Sequence, residues 1–376
     1  MDRLSSKTNP NIQRTLKCVK HSPYGLIVKG KNYIDLSSND YLGLASNLEF
    51  QNEFLRSLPD DQFLLGSLSS RLLTGNDEIK EDLENDLKLL YQKEACLLYN
   101  SGYHLNTGIL PALAEKDDLI LADKLVHASI LDGLRLVQCR WQRFRHNDLN
   151  DLEQKLKGSI GKYKTVFVVT EGIFSMDGDS PDLVALIELK ERYPFLLYID
   201  EAHSFGIRGT LGKGVSEEQN ILDHVDILAA TFGKALAGEG AFVACSQSVR
   251  QHLINHSRSL IFSTATAPIM TLWAQFAVKK MITMKNERIY LENISHELRN
   301  YLSHHYETGG QSHIIPLIFQ NDQLCQEKSL LLQQKGIWVL PIRYPTVPVN
   351  QPRIRLSLSS ALTPHHLETI REALLA

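Results

Sequence analysis

The stretch Asp226–Gly240, DILAATFGKALAGEG, decides how the rest of the chain is interpreted. An apolar, strand-like run at 227–230 ends in Thr231-Phe232-Gly233-Lys234, and small residues follow it. Backbone can pack closely around a lysine that glycine and alanine flank, and burial lowers the pKa of such an amine and makes it nucleophilic toward a carbonyl. A solvated lysine in a turn fits the same letters, so both interpretations of Lys234 stay open here.

A second strand-like run, Phe195–Asp200 (FLLYID), ends in Asp200 and is followed by His203. In an open α/β sheet the carboxyl ends of the strands face the crevice that binds ligands. A lysine that forms a Schiff base with a cofactor aldehyde, together with an aspartate for the pyridine nitrogen, is what pyridoxal 5'-phosphate (PLP) requires. The alternatives are a helix cap for Asp200 and a core histidine with satisfied hydrogen bonds for His203.

The composition is that of an ordinary globular protein. The chain has 376 residues, enough for two domains, and 43% of them are apolar. The net charge of −3 gives no reason to expect nucleic acid or a membrane as a partner. Five cysteines without a CxxC pair predict reduced thiols, and three of them lie in or beside strand-like segments: Cys96, Cys139 and Cys245. With no apolar leader or bilayer-length apolar run, we expect a cytoplasmic protein, and we expect no metal site.

Strands and helices alternate from residue 95 to residue 245. This pattern predicts an α/β fold with a mostly parallel central sheet and helices on both faces. Several polar residues follow strand-like runs and would therefore converge at one edge of the sheet: Ser101, His127, Glu171, Ser175, Asp200, His203, Thr231 and Lys234. The Ser101-Gly102 turn before a helix is a weak phosphate-site signal. His127 could lie flat on an aromatic cofactor or cap the next helix.

The segments outside this core predict a smaller α+β domain. We expect an N-terminal arm and small-domain segment at 1–45, a large PLP-binding domain at 46–266, one linking helix at 267–306 and a C-terminal α+β domain at 307–376. In a strand of the last unit, Arg353 and Arg355 share one face, where a guanidinium could hold a substrate carboxylate, and at least one of the two is expected to be solvated. Asn39 could bind a ligand or simply fix its turn.

Taken together, the motifs resemble those of the α-oxoamine synthases, which are PLP-dependent enzymes of the aspartate aminotransferase fold. The resemblance spans about residues 33–376 and rests on SSNDYLGL at 37–44, HNDLNDL at 146–152, TEGIFSMDGD at 170–179, DEAHSFG at 200–206 and TFGK at 231–234. It implies a homodimer with shared active sites.

The resemblance also implies roles for individual residues. Lys234 would form the Schiff base with PLP, Asp200 would pair with the pyridine nitrogen, and His127 would stack on the ring. His203 and Ser175 would contact the phenolic oxygen side. The phosphate would be held by Gly102, Tyr103 and Thr231, with the partner subunit contributing the equivalents of Ser263 and Thr264. The substrate would be bound by Asn39, Arg355, Thr346, His127 and, on a poorly aligned arm, Arg14.

The ending IRYPTVP at 342–348, followed by RIRLSLS, is similar to the family branch that condenses L-alanine with pimeloyl-CoA or pimeloyl-ACP. Glycine with acetyl-CoA, serine with palmitoyl-CoA, and a cofactor-free regulatory relative remain as alternatives. The chain departs from the family at four positions, which leave the acyl-chain preference open: Leu68 and Ser69 for two glycines, Lys80 for a frequent histidine, and Tyr344 for a proline.

Overall fold

The computed structural model describes residues 15–22, 25–58 and 65–375. Its strands are β1 (Lys20–Ser22), β2 (Gly25–Val28), β3 (Lys31–Asp35), β4 (Ala95–Tyr99), β5 (Leu119–Asp123), β6 (Arg140–Phe144), β7 (Val166–Glu171), β8 (Leu196–Asp200), β9 (Ile227–Thr231), β10 (Ala241–Cys245), β11 (Glu307–Thr308), β12 (Ile314–Ile318), β13 (Ile337–Trp338), β14 (Pro341–Ile342) and β15 (Arg353–Ser357).

The α-helices are α1 (Leu48–Ser57), α2 (Glu78–Tyr91), α3 (Gly102–Leu113), α4 (Ala128–Leu136), α5 (Leu149–Ser159), α6 (Leu183–Arg192), α7 (Val215–Glu218), α8 (Gln247–His256), α9 (Arg258–Ile261), α10 (Pro268–Met281), α11 (Lys285–Ser303), α12 (Asp322–Gln334) and α13 (Pro364–Leu375). A π-turn at Arg71–Gly75 and a 3-10 turn at Leu222–His224 complete the regular elements of the described residues.

The central sheet confirms the predicted α/β fold. Within the described residues it has seven strands in the order β4-β10-β9-β8-β7-β5-β6, and β10 alone runs antiparallel to its neighbours. Alternate residues of each strand enter two different apolar clusters: in β4, Cys96 and Leu98 join one, and Leu97 and Tyr99 join the other. Both faces are therefore covered, as the continuous apolar runs predict.

Short polar side chains start most helices of this layer. Ser101 caps α3 by accepting from the backbone N–H of His104, and Asp182 caps α6 in the same way. The helix at Glu78–Tyr91 is capped by Asp77, whose carboxylate accepts from Lys80 N. Asn76, one residue earlier, accepts from the side chain of Arg71.

Two smaller sheets lie outside the central one. The order β11-β12-β15-β14 is fully antiparallel, and β1-β2-β3 is an antiparallel set that β13 extends in parallel. Residues 337–342, a continuous apolar run in the sequence, form two short strands that belong to different sheets. Between the two strands, the carbonyl of Val339 accepts from the side chains of Ser329 and Gln333. Among the described residues, this carbonyl therefore makes no hydrogen bond to a neighbouring strand.

The segment 267–306 was predicted as one linking helix and is instead two helices, α10 and α11, with a break at 282–284. No glycine or proline marks the break. The guanidinium of Arg288 donates to the carbonyls of Met281 and Ile282, which satisfies acceptors that a continuous helix would have paired. The division of the chain into domains stays a prediction. In the described part of the chain, no helix is both long and apolar enough to span a bilayer.

Candidate active site

Three ionisable groups meet at the carboxyl edge of the central sheet. Strand β7 ends in Glu171, which is in register with Asp200 at the end of β8. Strand β9 pairs with β8, and the turn after it carries Lys234. Burial lowers the pKa of Lys234 to about 8, and the charges of Asp200 and Glu171 limit this fall. An amine with that pKa is partly neutral near pH 8, and a neutral amine is the form that attacks a carbonyl.

Glu171 and Asp200 are both buried, with 3% and 6% of their surface exposed. Burial, reinforced by the nearby charge of Asp200, raises the pKa of Glu171 well above its usual range. The Glu171 carboxyl also accepts from the backbone N–H of His127 and so ties the end of β7 to the turn after β5. Glu171 therefore holds a proton more tightly than an ordinary carboxyl group does.

A chain of side-chain hydrogen bonds joins Asp200 to His127. The amide of Asn106 donates to Asp200 Oδ2 (2.8 Å) and to Ser129 Oγ (2.9 Å), and Ser129 Oγ lies 2.8 Å from His127 Nδ1. Tyr198 donates to Asn106 Oδ1. His127 also caps α4, so the two interpretations of this residue are compatible. Asp200 Oδ1 likewise accepts from Ala202 N as a local turn cap.

Asn106 is a site residue that the sequence analysis missed. It is 3% exposed and lies in α3 next to Leu105, one turn before Ile109. A polar residue among the buried positions of an apolar helix indicates a satisfied polar partner, and this signal was available in the sequence. It orients both Asp200 and, through Ser129, His127.

His203 and Tyr41 connect the sheet edge to the smaller sheets. The hydroxyl of Tyr41 lies 2.7 Å from His203 Nδ1 and 3.0 Å from Asn39 Oδ1. Burial lowers the pKa of His203 well below its usual range and raises that of Tyr41 to about 12, so both are neutral near pH 7. Tyr41 belongs to the quoted motif at 37–44 but was assigned no role there.

Arg355 is held beside Asn39. Its guanidinium donates to Asn39 Oδ1, to the carbonyl of Ser175 (3.2 Å) and to Ser357 Oγ. The structure thus brings together three residues that lie far apart in the sequence and that were predicted on the substrate and phenolic sides. These contacts hold the planar fork in one orientation, as recognition of a carboxylate requires.

Arg353, two residues earlier, behaves differently. It is 2% exposed and pairs with Asp177. The expectation that at least one arginine of this strand is solvated is wrong for Arg353, and Arg355 is half-buried. The 172–179 segment covers this part of β15, because the Asp177 carboxylate and the Met176 carbonyl both accept from the Arg353 guanidinium.

The same 172–179 segment is anchored by a histidine between two aspartates. His146 Nδ1 is 2.9 Å from Asp123 Oδ1, and His146 Nε2 is 2.8 Å from Asp179 Oδ2. Burial alone would lower the pKa of His146, but the hydrogen bonds and charges of Asp123 and Asp179 outweigh it and raise the pKa to about 10. His146 is therefore a cation at neutral pH. The motif at 146–152 was quoted without this role.

The predicted phosphate side lies at the N-terminus of α3. A Cβ added to Gly102 would lie 3.6 Å from Thr231 Cβ, so the two residues face each other closely. Thr231 Oγ1 donates to the Gly240 carbonyl and accepts from Gly233 N. Tyr103 is half exposed and its hydroxyl binds Asp132. The structure describes one chain, in which Asn100 contacts the Thr264 carbonyl; the contribution of Ser263 and Thr264 across a dimer stays a prediction.

A cavity of about 330 Å³ opens beside this edge. It is lined by Ser37, Asn39, Leu340, Pro341, Ile342, Arg343, Tyr344, Thr346 and Arg355. The three residues predicted to bind the substrate, Asn39, Thr346 and Arg355, therefore line one cavity together with Tyr344, which is 54% exposed. Arg14, the fourth residue predicted only for the substrate, lies outside the described residues.

Two other departures from the family have visible consequences. Leu68 adopts a left-handed backbone with φ of 62°, which costs a leucine about 1 kcal/mol and a glycine nothing. Lys80 is 1% exposed, and its Nζ binds Asp77 Oδ2 (2.6 Å) and Ser67 Oγ (3.2 Å). It thereby fixes the loop that Leu68 and Ser69 occupy.

These residues fit PLP. A lysine of lowered pKa lies beside a carboxylate whose orientation Asn106 fixes, and a helix N-terminus with a glycine at its first position lies close by. Such a set can hold an aldehyde, a pyridine nitrogen and a phosphate at once.

Comparisons with known proteins support this cofactor. The family model Aminotransferase class I and II matches residues 31–374. An 8-amino-7-oxononanoate synthase from Chlorobaculum parvum is 43% identical over 93% of this chain and 91% of its own length. A PLP-containing serine palmitoyltransferase structure from S. paucimobilis aligns with a TM-score of 0.89 and 26% identity, over 99% of this chain and 94% of that one. An 8-amino-7-oxononanoate synthase structure from Francisella tularensis aligns with a TM-score of 0.77 and 27% identity, over 91% and 96%.

The chain belongs to the class I and II aminotransferase family of PLP-dependent enzymes. Within that family it is an acyltransferase-type enzyme, similar to the 8-amino-7-oxononanoate synthases of biotin synthesis.

Proposed function

We propose that the protein condenses L-alanine with a pimeloyl thioester, pimeloyl-CoA or pimeloyl-ACP, to give 8-amino-7-oxononanoate, CO₂ and the free thiol. The observation that carries the proposal is the cavity beside the sheet edge, in which Asn39 and Arg355 share a wall with the 340–346 segment. That segment belongs to the ending IRYPTVP…RIRLSLS, which is typical of this branch of the family. The 43% identity to a curated synthase supports the same substrates.

In this reaction a new bond joins the alanine Cα to the acyl carbon, the C–S bond breaks, and the carboxylate leaves as CO₂. Bound PLP supplies an electron sink for the Cα carbanion. Lys234 Nζ would take the α-proton, because its lowered pKa leaves part of the amine neutral. Arg355, held by Asn39, Ser175 and Ser357, would bind the substrate carboxylate and orient the Cα–H bond.

The other residues of the site would hold the cofactor in position and would not react themselves. Asp200 would hold a proton on the pyridine nitrogen, and Asn106 fixes the direction of its carboxylate. His127, tethered through Ser129, would lie against the cofactor ring. Thr231 and the N-terminus of α3, with Gly102 and Tyr103, would bind the phosphate. His203 and Ser175 would lie on the phenolic side. A homodimer with shared sites and a cytoplasmic location belong to the same proposal.

A sister activity has one specific observation in its favour. The likeness to serine palmitoyltransferase, with a TM-score of 0.89, is a likeness in fold at 26% identity and fits serine as the amino acid. Pimeloyl transfer is preferred because the greater sequence identity lies with the oxononanoate synthases.

The experiment is thiol release from pimeloyl-CoA with L-alanine, glycine or L-serine, followed by mass spectrometry of the product. We expect turnover with L-alanine and the mass of 8-amino-7-oxononanoate. Turnover with serine or glycine in its place would overturn the proposal. Repeating the assay with pimeloyl-ACP and with palmitoyl-CoA distinguishes a wrong carrier or a wrong chain length from a wrong amino acid.

A further inference from the structure

A second cavity, of about 420 Å³, lies along helix α11 and is separate from the one that Arg355 lines. Its walls come from α11, from residues 207–220 and from residues 311–313. At one end three basic side chains come together: Arg208, Arg299 and His313. We call this end the basic pocket.

Arg299 is the main reason to consider a ligand there. Its guanidinium donates to the carbonyl of Ser312, while its buried Nε has no acceptor among the described residues. Burial and the neighbouring charge of Arg208 lower the pKa of Arg299. A buried guanidinium normally has an anionic partner or a full set of acceptors.

His313 points to the same conclusion independently. It is 3% exposed, yet within the described ranges neither of its ring nitrogens has a hydrogen-bond partner. Its ring packs edge-on against Tyr41, with centroids 3.9 Å apart. His313 thus lines the cavity while the hydrogen-bonding capacity of its ring stays unused among the described residues.

Two of the three acidic residues that line the cavity already have partners. Glu218 forms a two-pronged ion pair with Arg208, and Glu217 accepts from the backbone N–H groups of Leu211 and Lys213. Glu292 is exposed. The Glu218 carboxylate thus lies at the Arg299 end but is bound to Arg208, so Arg299 has no carboxylate partner among the described residues, while Lys285 and Arg288 add positive charge farther along the cavity.

We propose that the basic pocket binds a small oxyanion, of the chemistry shared by inorganic phosphate and short dicarboxylates. The free edge of the Arg299 guanidinium would bind two of its oxygens, and a ring nitrogen of His313 would donate to a third. The site is distinct from the one proposed for the PLP phosphate, which lies at the N-terminus of α3 beside Thr231. It does not depend on the identity of the acyl substrate.

The test is calorimetric titration of the PLP-loaded enzyme, in which the cofactor phosphate already fills its own site. Sodium phosphate, sodium succinate and sodium chloride are compared at constant ionic strength. We expect saturable binding of one phosphate or succinate per chain and none of chloride. Succinate binding without phosphate binding would assign the pocket to carboxylates, and the reverse would assign it to phosphate. The absence of saturable binding for both would overturn the proposal.

Variants locate the binding. We expect Arg299→Gln to lower the affinity for the anion by about tenfold or more, and Arg299→Lys to lower it less. The control Arg192→Gln removes an exposed arginine from α6 and should leave the affinity unchanged. Equal affinity in Arg299→Gln and the parent would contradict the assignment. If Arg299→Gln does not fold, a parent crystal soaked in selenate decides: an anomalous peak beside Arg299 supports the pocket, and peaks only elsewhere overturn it.

Discussion

The two halves of the candidate active site differ in how they are built. The sheet-edge half takes Glu171, Asp200 and Lys234 from the ends of adjacent parallel strands and adds Asn106 from α3, and its two carboxyl groups and its amide are 3–6% exposed. The cavity half takes Asn39, Thr346 and Arg355 from three separate segments and borders solvent. Sheet register fixes the residues proposed for the chemistry, whereas the packing of the smaller sheets fixes those proposed for substrate choice.

The largest expected effect lies in the sheet-edge half. Asp200→Asn keeps the shape of the side chain but removes the charge proposed to hold the pyridine proton. We expect kcat to fall by about 10³-fold while the cofactor stays bound, which visible absorption and steady-state thiol release measure. Asp226→Asn, a change of the same kind at the other end of β9, serves as the control for a general loss of fold. Unchanged kcat in Asp200→Asn would remove Asp200 from the mechanism.

The next expected effect concerns His146, which anchors the 172–179 segment between the two halves, and its contribution to the free energy of unfolding. We expect His146→Gln to cost about 3 kcal/mol at pH 6.5 and below, because it leaves Asp123 and Asp179 without their cation. The folded pKa is raised to about 10, so the stabilisation is complete below the unfolded value near 6.5 and is lost as the pH rises toward 10. Urea unfolding of both proteins from pH 6 to 10 measures this.

For the same comparison, the exposed His304 provides the matched change His304→Gln. The stability difference between parent and His146→Gln should shrink as the pH rises, and that for His304→Gln should stay near zero throughout. A pH-independent difference for His146→Gln would mean that its charge is not what stabilises the segment.

The two arginines of β15 test the cavity half. We expect Arg355→Gln to raise KM for the amino acid by about 10- to 100-fold, since a charged hydrogen-bonded contact contributes about 1.5–3 kcal/mol. Arg353→Gln breaks the buried pair with Asp177 and should lower Tm without a comparable rise in KM. Initial rates against amino acid concentration, with a melting curve for each variant, distinguish the two. A raised KM in Arg353→Gln and a lowered Tm alone in Arg355→Gln would show that Arg353 binds the substrate and Arg355 is structural.

The smallest effect concerns Lys234. Because its pKa is lowered to about 8, the rate at which the apoenzyme captures PLP should rise about tenfold per pH unit below 8 and level off above it. Stopped-flow absorbance from pH 6 to 9.5 measures the rate. A rise that continues to pH 9.5 would show that the lysine keeps an ordinary pKa.

The sheet-edge half was largely predictable from the sequence. Apolar β-branched runs ending in Glu171, Asp200 and Thr231 indicate buried parallel strands, and the shared edge of such strands follows from topology alone. Asn106 was missed although its place on an apolar helix was visible. For Lys234 the sequence left a solvated turn lysine and a buried amine open, and the structure places it half-buried, with burial lowering its pKa to about 8.

The rest needed tertiary structure. Nothing in RIRLS shows that Arg353 is covered by Asp177 while Arg355 faces a cavity, since alternation places both on one face. The break between α10 and α11 has no glycine or proline and depends on Arg288, which bonds carbonyls near it. The division of 337–342 depends on side chains of α12, which bind the Val339 carbonyl.

The most direct measurement of the central claim is exchange of the alanine α-proton in D₂O, followed by NMR without any thioester. It separates proton removal from acyl transfer and can be run on the parent, Lys234→Ala and Arg355→Gln. The account predicts exchange in the parent, none in Lys234→Ala at any alanine concentration, and exchange in Arg355→Gln that recovers at high alanine. Exchange at the parental rate in Lys234→Ala, or none in Arg355→Gln at saturation, would contradict the assignment of chemistry to the sheet edge and binding to the cavity.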